Sequence, residues 1–319
     1  MIRNIIFLFN LLIFNDLAVA QKPAADIKPA DLKLLTTLED SMSRLAQIAV
    51  QDSVEENRRA ANEQLLPLIR QALAVSNSFN YAFSKLENIS IQQPSDRAFR
   101  LFTWQLFVDE NHYQYLGFVQ LNRSKSTVYE LTDASRDLSK PERDVLTTDR
   151  WFGAVYYNLK EFKTKDGMKY LLFGYNASNA DEHIKVADVL ILRGGQIKFG
   201  APVFEVADIK GVRATKFNRL ILTYSAEASV RLNFDNELGI LIHDHLEQIA
   251  AKNPNIPFTF VPDGTYEAFE LQKTGVWSHV DKLENTTMSE APRPQPILNN
   301  SKRKVVTKEE AKNFKFPDQ

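Results

Sequence analysis

The densest concentration of chemistry-capable side chains in the sequence is the triplet His243-Asp244-His245. Histidines two apart on a strand leave the same face, because side-chain direction alternates along a strand. Two imidazoles on one face suit zinc or another divalent ion, with Asp181, Glu182 or His183 as further ligands from a loop. An open position on such an ion would let it activate water for hydrolysis. The competing placement ends the strand at Ile242, and Asp244 then caps a short helix over 245–251 that turns Leu246, Ile249 and Ala250 inward.

Other chemistries find little support. The chain has no cysteine, which removes disulfides, thiolate metal sites and cysteine nucleophiles. Neither a G-x-S-x-G elbow nor a phosphate-binding glycine loop occurs. The acidic pairs Asp181/Glu182 and Asp235/Glu237 sit in apparent turns, where carboxylates serve turn chemistry.

The elements that must position the triplet are mostly strands. Residues 217–247 read as three strands, 219–224, 229–233 and 239–243, with polar turns between. Before them, alternation and turn chemistry suggest a succession of hairpins. Residues 99–107 carry apolar side chains on both faces, so that strand should be covered on both sides. Residues 109–112 turn the chain into 113–121, and 126–131 adds a short strand. A second hairpin joins 151–159 to 169–175 through Lys165-Asp166-Gly167, a strong local turn signal. A third joins 186–192 to 196–204 around Gly194-Gly195. Residues 258–261, a turn at Pro262-Asp263-Gly264-Thr265, then 266–271 and 275–277 complete the series.

Residues 21–78 form the helical part. Leu34, Leu35, Leu38, Met42, Leu45 and Ile48 recur at helical spacing and define one face. A second helix is announced by Ser53 and Glu56 as a capping box, with Ala61, Leu65, Leu66, Ile69 and Leu73 inward and Pro67 as a kink or restart. A short connection makes the two an antiparallel hairpin, with their stripes packed on the β domain. The expected fold is therefore α+β: a helical hairpin at 21–78, then a large antiparallel β domain at 79–284 arranged as a sheet, sandwich or partly closed barrel.

The ends read differently. Arg3, the apolar run 5–14 and Ala18-Val19-Ala20 have the form of an export signal cut after Ala20. That run is too short to span a bilayer, and no second such segment follows, so a soluble periplasmic or extracellular protein with no membrane span is expected. Residues 285–319 are rich in Pro, Lys, Asn and Glu, poor in apolar groups, and read as a disordered tail. A net charge of −1 gives no support for nucleic-acid binding.

The stretches 99–106 (Phe-Arg-Leu-Phe-Thr-Trp-Gln-Leu), 151–157, 199–204, Asp244-His245-Leu246 and Pro262-Asp263-Gly264-Thr265-Tyr266 resemble an uncharacterised family of exported proteins from Bacteroidota-type bacteria. That resemblance implies an envelope location and carries no activity or catalytic residue. Three functional expectations stand together. The leading one is a binding or structural protein of the envelope with a protein partner. The second is a metal-dependent hydrolase using His243 and His245. The third is a carrier of an apolar ligand among the aromatic-rich strands, where ordinary core packing is the plainer use of the rings.

Overall fold

The computed structural model describes residues 26–123, 126–207 and 214–280. The expected export signal at 1–20, its expected cleavage point and the tail expected to be disordered at 285–319 lie outside them. The chain is α+β, with two helices followed by three open sheets.

Helix α1 spans Pro29–Gln51 and α2 spans Glu55–Ala74. Pro29 opens α1 where a missing N–H costs nothing. The buried stripe of α1 runs through Leu35, Leu38, Met42, Ala46 and Ala49, whereas Leu34 and Ile48 are 39% and 38% exposed. The face is thus rotated from the one the large apolar residues suggest, because Ala46 and Ala49 allow close approach. The expected capping box is absent: Asp52 Oδ1, not Ser53, accepts from the Val54 N–H at 2.8 Å. Pro67 lies inside α2, which continues through it. Tyr81 and Phe83 follow a single 3₁₀ turn, Ser78–Asn80, and form no strand.

Sheet one contains β1 (Ser90–Gln92), β2 (Phe99–Asp109), β3 (His112–Leu121) and β4 (Thr127–Thr132), in that order and antiparallel. Strand β2 is covered on both faces, as its pattern predicts. Phe102, Trp104 and Leu106 meet the helices, while Phe99 and Leu101 meet the next sheet.

Sheet two contains β5 (Val155–Thr164), β6 (Gly167–Asn176), β7 (Glu182–Arg193), β8 (Gln196–Phe199) and β11 (Leu220–Ser225). Its order is β11-β7-β6-β5, with β8 also on β7. Sheet three contains β9 (Phe204–Ala207), β10 (Ala214–Phe217), β12 (Leu232–Asp235), β13 (Ile240–Ile249), β14 (Thr259–Leu271) and β15 (Trp277–Val280). Its order is β10-β9-β15-β14-β13-β12, antiparallel except for the β15–β9 pair. Successive cores join helices to sheet one, sheet one to sheet two, and sheet two to sheet three. No sheet closes into a barrel among the described residues.

Several expectations are corrected here. The stretch 217–247 is not one three-stranded unit, since β11 joins sheet two while β12 and β13 join sheet three. The strand expected over 196–204 is divided at Gly200. This residue has φ +97°, and a Cβ there would stand 2.7 Å from the Asp144 carbonyl oxygen, so the chain turns away from sheet two. The short helix over 245–251 does not form. Strand β13 runs on to Ile249 because β14 supplies partners at Glu247↔Val261 and Ile249↔Thr259. The Pro262–Thr265 turn lies inside β14 as a bulge, three residues on β14 standing opposite His245 alone.

Candidate metal centre

The inner face of sheet three, turned toward sheet two, is apolar for most of its length: Leu232, Phe234, Leu241, Phe269 and Trp277 all join the core there. The same alternation places His243 after Leu241, Glu267 before Phe269 and His279 after Trp277. Register brings them together. His243 pairs directly with Glu267 across β13 and β14, and His279 sits opposite Phe269 on β15. Each of the three offers a ligand atom within 4.8 Å of the other two. The Phe269 ring flanks both imidazoles, its centroid 5.9 Å from that of His243 and 5.2 Å from that of His279.

The hydrogen-bond directions matter most. His243 is buried, and burial pushes its pKa below 6.5, so the ring is neutral. Its Nδ1 lies 2.9 Å from the Asp244 carbonyl oxygen, which can only accept. Nδ1 therefore carries the hydrogen and Nε2 presents a bare lone pair. That Nε2 is buried without a hydrogen-bond partner and lies 3.6 Å from Glu267 Oε2. A lone pair facing a carboxylate is repulsive unless a cation stands between them.

The bulge brings a second imidazole to the same carboxylate. His245 Nδ1 lies 2.9 Å from Asp263 Oδ2, and its Nε2 lies 3.6 Å from Glu267 Oε1. Asp263 is fixed by Gly264, whose φ of +89° turns the bulge, and by the Thr265 N–H and hydroxyl donating to Oδ1. Those two donors hold its pKa down to about 2, so it stays a carboxylate that orients the His245 ring. Glu267 is also held below its ordinary value, chiefly by the His279 hydrogen bond at 2.9 Å.

The distances suit a transition-metal ion. Ligand atoms bound tetrahedrally to zinc stand about 3.3 Å apart, from metal–ligand bonds of about 2.0–2.1 Å. The 2.9 Å His279–Glu267 and 3.6 Å His243–Glu267 separations bracket that edge. Binding requires His279 to carry its hydrogen on Nδ1, freeing Nε2.

Of the residues singled out in the sequence, the structure brings His243 and His245 to Glu267. Asp181, Glu182 and His183 are not brought there. His183 belongs to β7 in sheet two, where its Nδ1 meets the Tyr175 hydroxyl at 3.1 Å, and Asp181 accepts from Asn253 at 3.0 Å. Glu267 and His279 are additions from the structure. A carboxylate and an imidazole in the inward phase of apolar strands were the available signal, and only the register joins them. Comparison with protein-family models, with curated proteins and with solved structures returns no match.

Proposed function

We propose that the protein is an exported binding protein whose binding centre holds one divalent transition-metal ion through His243, Glu267 and His279. The observation that carries this reading is the buried His243 Nε2, unpartnered and aimed at a carboxylate. Two imidazoles and one carboxylate favour zinc, cobalt or nickel over calcium or magnesium, which prefer all-oxygen shells. Export is supported by Arg3, the apolar run 5–14 and Ala18-Val19-Ala20.

The test is native mass spectrometry of protein prepared without chelator or affinity-tag metal, then titrated with zinc. One zinc per chain is expected in the wild type and none in His279→Ala. A metal-free mass across the titration, or equal uptake by the variant, would overturn the reading. Three protein donors also match the ligand count of a hydrolytic zinc site. Turnover of a nitrophenyl ester by the zinc form, lost in Glu267→Gln, would move the reading from binding to catalysis. The carrier reading draws less support, because Phe162, Phe234, Phe204, Phe269 and Trp277 fill the space between sheets two and three with edge-to-face contacts.

A further inference from the structure

The three imidazoles around Glu267 differ in their access to solvent. The side chain of His243 is 5% exposed, that of His279 19% and that of His245 38%. Glu267 divides its two oxygens between them. Oε2 faces the inner pair, 2.9 Å from His279 Nε2 and 3.6 Å from His243 Nε2, while Oε1 faces the exposed His245 Nε2 at 3.6 Å. His245 is not one of the three residues whose ligand atoms converge, so it stands outside the centre and shares its carboxylate.

The backbone is built to hold His245 there. Residues 263–265 of β14 stand opposite it as a bulge, the kind of insertion that re-aims a side chain. The bulge brings Asp263 Oδ2 to His245 Nδ1 at 2.9 Å. An imidazole with its hydrogen on Nδ1, toward that carboxylate, presents Nε2 as a metal-binding lone pair. Among the described residues neither Glu267 nor Asp263 is paired with a lysine or arginine, so no such side chain competes with a metal cation for their oxygens.

An ion bound for the buried centre must shed its water. Stripping that water in one step, before protein ligands replace it, is costly, and exchanging one ligand at a time lowers the barrier. Building on the three-donor centre proposed above, we propose that His245 and Glu267 Oε1 form an outer capture position for a divalent transition-metal ion. From there the ion passes to His243, His279 and Glu267 Oε2 by changing the carboxylate oxygen it binds. Carboxylates bind metal ions through one oxygen or both, so the ion stays attached to Glu267 throughout. The same route in reverse serves release.

The test is stopped-flow mixing of the metal-free full chain with cobalt(II), with release measured into excess chelator. His245→Gln should bind cobalt about tenfold more slowly than the wild type and release it more slowly by the same factor. The dissociation constant should not change, because the three resident donors are intact. His245→Ala should repeat this result, and a full cobalt band at saturation shows that each variant is folded. Equal rates in the wild type and both variants, or weaker affinity with unchanged association, would overturn the capture position and leave the centre standing. No cobalt band in the wild type would overturn the centre, and the capture position with it.

Discussion

Two of the buried polar clusters in this protein are built on opposite plans. Between sheets one and two, Asp188 and Arg219 are both fully buried and paired at 3.0 Å. Asp188 Oδ1 also receives the Val189 N–H at 2.8 Å, and Oδ2 receives the Tyr156 hydroxyl at 3.2 Å. That hydroxyl in turn receives the Trp151 indole N–H at 3.0 Å. Arg219 Nη1 reaches the carbonyls of Pro141 and Asp144, tying the connection between β4 and β5 to sheet two. Here every carboxylate oxygen has a donor, and the charges cancel. On the inner face of sheet three the balance is reversed: the bare His243 Nε2 faces Glu267, whose one hydrogen-bond donor among the described residues is His279. The first cluster balances its charge within the protein, although Arg219 Nε and Nη2 make no hydrogen bond, while the second sets a bare imidazole nitrogen against a carboxylate. Burial alone does not mark a site; an unmet demand for positive charge does.

The comparison yields predictions of decreasing size. Asp188→Ala leaves Arg219 buried and unpaired, and should cost about 3–5 kcal/mol in urea unfolding. The double change Asp188→Leu with Arg219→Met should recover a large part of that loss, since a buried pair replaced by apolar groups is often neutral. Zinc at one hundred times its dissociation constant should stabilise the wild type by about 2.7 kcal/mol and leave Glu267→Gln unmoved. An equal shift in both proteins would erase the distinction between the clusters.

Acid should act selectively on the second cluster. The pKa of His243 is depressed in the folded state, so between the folded value and 6.5 the unfolded chain binds more protons. Its contribution is therefore complete above 6.5 and lost as pH falls below it. The depressed Glu267 and Asp263 add losses at lower pH, as protons reach the folded carboxylates. Zinc occupancy should drop over the same upper window, because the imidazoles must be deprotonated to bind. Native mass spectrometry from pH 8 to about 5 checks this, and a pH-independent occupancy would contradict it. The smallest effect expected is from Asp263→Asn, which loosens His245 without touching the three donors. Any change in zinc affinity should stay within about tenfold, at the low end for an outer-shell partner, with folding stability moved by no more than about 0.5 kcal/mol.

Much of the fold was legible because it rests on local pattern. The helical stripes, the doubly covered strand at 99–107 and the Asp166-Gly167 hairpin each follow from side-chain periodicity or turn chemistry. What could not be read depends on partners distant in sequence. Leu220–Ser225 joins sheet two and Leu232–Asp235 joins sheet three, though the two are neighbours in the chain. Pro262-Asp263-Gly264-Thr265 has the composition of a chain-reversing turn, yet pairing on both sides of it keeps β14 in one line. The metal centre divides in the same way. His243 and His245 were visible as a pair on one strand, while Glu267 and His279 enter through the register of β14 and β15.

The most direct test of the central claim is a cobalt(II) titration of the metal-free protein followed by visible absorption. The account predicts an intense d–d band, as expected of a tetrahedral nitrogen–oxygen shell, saturating at one equivalent in the wild type and absent in Glu267→Gln. A spectrum that stays that of aqueous cobalt, or an identical band in the variant, would contradict it.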